Sequence, residues 1–276
     1  MIGVRAFGLY TNPRSAEYRN LIDEVENLKV GHVTIFESDV YAAPRLLNDL
    51  QSRARIPLLV ASDLERGLAF RVRRGVVPIP YAMAIGATRS EEAAYFTGLV
   101  TGREARAVGI HWTFAPVADV NNNPDNPVIN IRSYGEDPAL VSRLTEAYIR
   151  GARDGAILST AKHFPGHGDT ATDSHLALPV IAADRDRLDR VELPPFESMV
   201  RAGVDSIMVA HISVPAIDPS GAPASLSEPI TTGLIRDRMK FQGLIVTDAM
   251  EMSGLDLAWS GEAAVRAVAA GADLVL

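Results

Sequence analysis

The segment AKHFPGHGDTATDSH, residues 161–175, carries three of the six histidines, with Lys162, Asp169 and Asp173 among them. Pro165, Gly166 and Gly168 interrupt regular structure there, so it reads as a long loop after an apolar run. Two kinds of chemistry fit these residue types. Asp173 lies two residues before His175, and a carboxylate beside an imidazole fixes its tautomer and supports its charged form, as proton transfer requires. Alternatively, His163, His167, Asp169 and His175 offer the nitrogen and oxygen donors of a metal site. The residue types leave both open.

Other reactive side chains stand where apolar runs end. Asp248 follows GLIVT (243–247), Asp63 follows PLLVAS (57–62), and His211 follows DSIMVA (205–210). Glu37 and Asp119 end two further runs, and Lys162 with His163 ends another. Arg71 lies eight residues after Asp63, and Arg132 sits in the Asn- and Pro-rich stretch 121–138. Asp248 suits a helix N-cap, or a nucleophile or base held on a rigid strand end. Gathered on one face, these ends would line a cleft with carboxylates, imidazoles and an ammonium, which suits a polyhydroxylated substrate.

The elements that must position them recur in form. Eight short apolar runs lie at 3–10, 30–36, 57–62, 111–118, 156–161, 205–210, 243–247 and 272–276. They are continuous rather than alternating, as parallel strands buried on both faces are. Stretches with helical spacing separate them: AEYRNLIDEVENL, SEEAAYFTGLVTGREARAVG, PALVSRLTEAYIRGARDG and ITTGLIRDRMK. Gly109, Gly155, Gly203 and Gly271 stand where helix C-caps belong. The pattern predicts an α/β fold, a (β/α)8 TIM barrel. A doubly wound open sheet gives the same alternation, but no Gly-rich phosphate loop follows an early strand. We expect one domain over 1–276 with no internal linker, the chain ending at its eighth strand before the closing helix.

Composition narrows the classes. Of 276 residues, 47% are apolar and 22% charged, which excludes extended disorder and a coiled coil for the whole. No cysteine is present, which removes disulfides, thiolate zinc sites and cysteine nucleophiles, and fits a reducing, cytoplasmic compartment. Lys and Arg number 27 against 34 Asp and Glu, so the net charge is −7. With no basic run interleaved with aromatics, a nucleic-acid partner is not expected. Nor is a membrane partner, because no stretch approaches the roughly 20 apolar residues of a span. The start, MIGVRAFGLYTNPR, is too short and interrupted for a secretory signal.

Taken together, KHFPGHGDT (162–170) with DSH (173–175), DLERG…R (63–71), MAIGAT (83–88), FAPVADVN (114–121), NIRSYGEDP (130–138) and GLIVTDAMEM (243–252) resemble glycoside hydrolase family 3, in its β-N-acetylglucosaminidase branch. The resemblance covers nearly the whole chain, in order. It implies a (β/α)8 barrel and retaining, exo-acting hydrolysis of terminal β-linked N-acetylglucosamine from a small carbohydrate of muropeptide or chitin type. It implies a nucleophile at Asp248, an acid/base at His175 assisted by Asp173, and sugar contacts by Asp63, Arg71, Arg132, Lys162, His163 and His211. No metal or other cofactor is implied, and His167 and Asp169 then shape the loop. One departure stands out: the family pattern D-x-E-G-G reads DLERG here, with Arg66 at the cleft rim. A phosphorylase of the same family, a metal-dependent barrel hydrolase and a silent sugar-binding protein are the alternatives.

Overall fold

Residues 2–6, 8–172, 178–251 and 260–276 are described by the structure, a computed structural model. Seven of the eight apolar runs contain strands: β1 (Ile2–Ala6), β2 (His32–Asp39), β3 (Leu59–Ser62), β5 (Trp112–Thr113), β6 (Thr160–Phe164), β7 (Ser206–Val209) and β8 (Leu244–Thr247). A short strand that the sequence does not signal, β4 (Val72–Arg73), pairs with β2. The eighth run forms a single parallel bridge, Val246 to Leu274.

All these pairings are parallel and follow chain order, as β1-β2-β3-β5 and β6-β7-β8. Bridges from Trp112 to Leu158 and from Val117 to Lys162 join the two series. The expected strand 111–118 shrinks to two residues because Pro116 has no N–H to donate; pairing resumes where Ala118 N–H donates to Lys162 O at 2.6 Å. Among the described residues no pairing joins the last run to β1, so the expected closed ring is not completed by a ladder.

The sheet nevertheless curls around a shared interior. Strands three apart in a flat sheet lie about 14 Å from one another. Here Ala61 of β3, Trp112 of β5, Met208 of β7 and Val246 of β8 belong to one buried cluster. Trp112 Nε1 donates to Thr160 Oγ1 at 2.8 Å and to Ser206 Oγ at 2.9 Å, and the His32 ring of β2 meets the indole edge-on at 5.4 Å.

Helices cover the outside. α1 (Ala16–Glu26), capped by Ser15, buries Leu21 and Val25, and α2 (Ala42–Arg53) buries Ala43, Leu46, Leu47 and Leu50, the one-face spacing of an amphipathic helix. α3 (Ala82–Thr88), α4 (Glu91–Ala107), α5 (Pro138–Asp154), α6 (Arg185–Arg190), α7 (Leu193–Arg201) and α8 (Ser260–Ala270) follow, with a π-helix at Pro229–Arg238. None is long and apolar enough to cross a membrane, among the described residues.

Gly109, Gly203 and Gly271 adopt positive φ, as helix C-caps do, but Gly155 has φ −82°. It still caps α5, its N–H donating to Gly151 O at 2.9 Å, and its small size serves packing as well. Gly98 and Gly102 of α4 face Gly151 and Gly155 at the end of α5, and the backbones touch. A Cβ on Gly98 would sit 2.2 Å from Tyr148 O, and one on Gly151 1.9 Å from Tyr95 O.

Helix propensity alone favours Gly98→Ala by about 1 kcal/mol. The contact reverses that sign, and we expect a net loss of about 1–3 kcal/mol from overpacking. Urea unfolding of wild type and variant measures it; a variant as stable as wild type would show that the helices can separate freely.

Candidate active site

The Lys162 side chain is 3% exposed, and a buried ammonium is costly unless opposite charges surround it. Its Nζ donates to Asp63 Oδ1 at 3.0 Å and reaches Glu65 Oε1 at 2.7 Å. Each carboxylate is shared with an arginine. Arg71 Nη2 donates to Asp63 Oδ2 at 3.0 Å, and Arg132 grips Glu65 in bidentate fashion, Nε to Oε2 at 3.0 Å and Nη2 to Oε1 at 2.8 Å. Arg132 Nη2 also lies 3.2 Å from His163 Nε2. A guanidinium only donates, so Nε2 accepts and the ring proton sits on Nδ1, which donates to Asp119 Oδ2 at 2.7 Å. The result is a row of alternating charge from Arg71 to Asp119. Burial opposes charge on Lys162, but Asp63 and Glu65 outweigh it and raise its pKa. Burial likewise opposes charge on Glu65, and Lys162 and Arg132 hold its carboxyl well below the usual range.

Strand ends and two loops deliver these groups. Asp63 directly follows β3, and the buried Leu64 anchors the turn that presents Glu65. Lys162 and His163 lie inside β6 rather than after it. Neighbouring strand residues normally face opposite sides, and the register shift between Ala161 and Phe164 is what lets both line one cleft. Asp119 is fully buried beneath them and accepts from the backbone N–H of His163 at 3.2 Å and of His167 at 2.6 Å. Asn126 ties the loop 121–138 to the histidine-rich one, its Nδ2 donating to His167 O at 2.8 Å and Gly168 O at 3.1 Å. The loops meet at Gly168, where a Cβ would lie 1.7 Å from Val120 O.

Asp248 faces this row from β8. Its N–H donates to Val209 O at 2.9 Å, and its Oδ1 accepts from Ala249 N–H at 2.8 Å. Burial works against its charge; the His163 and His211 rings, the Ala249 N–H and the Lys162 ammonium prevail and lower its pKa below the usual aspartate value. An ionised carboxylate thus stands on a rigid strand end. The cleft before it has a volume of about 590 Å³; Asp63, Glu65, Arg71, Arg132, Lys162, Asp248 and Glu251 are its charged lining, and Phe36, Phe70 and Tyr81 its aromatic wall.

Of the sequence candidates, Asp63, Arg71, Arg132, Lys162, His163 and Asp248 meet here. His211 does not line the cleft. It is fully buried, its Nε2 donating to Ala249 O at 2.9 Å and its Nδ1 accepting from Ser225 Oγ at 2.7 Å, so it supports the turn after Asp248. Asp173 and His175 lie outside the described residues. His167 lines the cleft, while Asp169 pairs with Arg187 at 3.2 Å and Glu37 with Arg73. Among the described residues no group of three or more His, Asp or Glu is placed to hold a metal ion. Arg66 stacks over the Tyr81 ring at 4.1 Å instead of entering the cleft. Glu65 is the residue the sequence reading missed; its one signal was a second carboxylate two positions after Asp63 in DLERG.

Residues 9–276 match the glycosyl hydrolase family 3 N terminal domain. A β-hexosaminidase A of Pseudoalteromonas piscicida is 38% identical over 242 residues, covering 82% of this chain and 40% of that protein. The structure of a glycoside hydrolase family 3 β-N-acetylglucosaminidase from Paenibacillus sp. str. FPU-7 superposes with a TM-score of 0.93 at 41% identity, over 100% of this chain and 52% of that one. A β-glucoside phosphorylase, BglX, has a TM-score of 0.86 at 30% identity over 97% of this chain and 55% of that one. The chain therefore spans about half the length of these relatives.

The site carries a pH signature of its own. Burial pushes the His167 imidazole down to about 4, against roughly 6.5 in an unfolded chain. Between those values the unfolded chain binds a proton that the folded one does not, so this contribution to stability is complete above about pH 6.5 and lost as pH falls toward 4. His167→Gln removes it. In urea unfolding at pH 7 and 4.5, wild type is expected to lose about 2–3 kcal/mol more than the variant. Equal losses would show that His167 is not the group responsible.

Proposed function

The chain belongs to glycosyl hydrolase family 3, and we propose from that premise that it forms the catalytic (β/α)8 barrel, a single domain over 1–276, of a retaining exo-β-N-acetylglucosaminidase. The observation that carries this reading is Asp248: a carboxylate kept ionised by its surroundings, on a strand end, opposite a row of buried charges suited to sugar hydroxyls. The names of the relatives supply the sugar.

In this mechanism Asp248 attacks the anomeric carbon while His175 protonates the departing oxygen, leaving a glycosyl ester on Asp248. His175, now neutral, takes a proton from water, which attacks the same carbon and releases Asp248. Asp173 orients the imidazole and stabilises its charged form. The roles of His175 and Asp173 follow from the family resemblance of the DSH segment. Asp63, Arg132, Lys162 and His163 hold hydroxyls and the acetamido group, and Arg71 steadies Asp63. Because these groups already hold one another, they meet the sugar in fixed positions, and little ordering remains at the transition state. The likeness to BglX favours a second reading, in which phosphate replaces water in the second step.

Two measurements test the proposal. A 5-fluoro glycosyl trap is expected to label Asp248, and Asp248→Ala to lose both labelling and turnover of p-nitrophenyl N-acetyl-β-glucosaminide while unfolding cooperatively like wild type. Label on another carboxylate moves the nucleophile elsewhere, and turnover that requires added phosphate selects the phosphorylase reading.

His175→Ala removes the proton donor and leaves the nucleophile. General acid assistance is worth roughly 10²- to 10⁴-fold, so glycosides with basic leaving groups should lose that much, while those with acidic phenols keep most of their glycosylation rate. Rates across a leaving-group series decide: a loss independent of leaving-group acidity would make His175 a binding residue.

A further inference from the structure

Behind Asp248 lies a buried polar pair that no step of the hydrolysis touches. His211 and Ser225 are fully buried, and neither lines the cleft. Burial lowers the pKa of the imidazole and outweighs the Asp248 carboxylate, the charged group that faces it, so at neutral pH the ring is uncharged and carries a single N–H. The place of that proton is fixed by the neighbours. The Ala249 carbonyl, 2.9 Å from Nε2, can only accept, so Nε2 bears the hydrogen and Nδ1 is left as an acceptor. The Ser225 hydroxyl, 2.7 Å from Nδ1, supplies the donor.

The backbone holds Ser225 in that position. It lies in a short 3-10 helix, Ala224–Leu226, which clasps the chain on either side of His211: Ala224 N–H donates to Ile212 O at 2.8 Å and Ser225 N–H to Ala210 O at 3.2 Å. On the other side of the ring, the turn that carries Asp248 is tied down at each of three residues. Asp248 N–H donates to Val209 O at 2.9 Å, Ala249 O accepts from His211, and Met250 N–H donates to Leu276 O at 3.0 Å. Of these ties, the middle one is made by a side chain. With the turn so held, Ala249 N–H reaches Asp248 Oδ1 at 2.8 Å, and no hydrogen bond among the described residues engages Oδ2. One carboxylate oxygen is anchored and the other is left for bond formation.

We infer that His211 and Ser225 are positioning residues for the nucleophile: Ser225 holds the ring, the ring holds the Ala249 carbonyl, and Asp248 thereby keeps Oδ1 on the Ala249 N–H and presents Oδ2 to the anomeric carbon. The inference rests on the glycosidase reading and adds two residues to it. The N–H that steadies the carboxylate during attack also stabilises the charge that returns to it when the glycosyl ester breaks, so both steps feel its loss. A turn that relaxes by about 1 Å misdirects Oδ2, and a misplacement of that size costs about 10²-fold in rate.

The test compares His211→Gln, His211→Leu and Ser225→Ala with wild type. A glutamine amide offers Ala249 O a donor and Ser225 Oγ an acceptor, as the ring does; leucine fills the space and offers neither. The rate constant for labelling by the 5-fluoro trap, and kcat on p-nitrophenyl N-acetyl-β-glucosaminide, should fall about 30- to 100-fold in His211→Leu, about 3- to 10-fold in Ser225→Ala and less than about 3-fold in His211→Gln. Inhibition by N-acetylglucosamine should stay within about 2-fold of wild type throughout, because the groups that hold the sugar are untouched. The acid limb of kcat/KM should lie at higher pH in His211→Leu than in His211→Gln. Both lack the titrating imidazole, so the difference reports on Asp248, whose charged form has lost its anchored N–H.

Equal labelling rates in the two His211 variants, or losses matched by an equal weakening of N-acetylglucosamine binding, overturn the positioning role while the glycosidase reading stands. Should His211→Leu not fold, Ser225→Ala against wild type decides by the same measurements. If the trap labels a carboxylate other than Asp248 in wild type, or none, the nucleophile assignment itself falls and this inference with it.

Discussion

A lysine ammonium that is 3% exposed is the constraint from which the rest of the site follows. Inside a protein such a charge persists only if opposite charges surround it. Asp63 and Glu65 meet that requirement and are then themselves charges in need of partners, which Arg71 and Arg132 provide. Arg132 in turn donates to His163, and the His163 ring N–H donates to Asp119. Removing any member leaves its neighbours under-compensated, so the members of the network depend on one another.

The scaffold matters because it brings the network's members to one place. Curling the sheet puts β3, β6 and β8 ends around one cleft, and the curl is held from inside by Trp112, which touches β2 through His32 and donates to β6 and β7. From outside, the glycine contacts between α4 and α5 allow the helical layer to close tightly behind β5 and β6. The register shift in β6 then turns Lys162 and His163 to the same side, and Asp119 secures both the His163 ring and the start of the following loop.

Around this charged centre the rim is built on a different principle. Arg66, which departs from the family's glycine, is taken up by Tyr81 and Phe70 rather than by a carboxylate. Stacking of this kind keeps a guanidinium partly hydrated and costs less than full burial. The centre is therefore built by charge pairing and the rim by stacking of guanidinium on aromatic rings.

The apolar runs, the helices between them and the strand ends at Asp63 and Asp248 were legible in the sequence. Strand and helix patterns are local, and a polar residue ending an apolar run marks a strand end without any knowledge of its partners. What each end touches was not legible. Lys162 meets Asp63 across 99 residues of chain and Arg132 meets Glu65 across 67, and no local pattern encodes such pairs. Hence Glu65 went unremarked, His211 was expected in a cleft it only supports, and the close helix packing that Gly155 adds to its role as a cap went unseen. The tertiary structure alone decided these, because burial determines which charges must be neutralised, and only the folded chain determines what is buried.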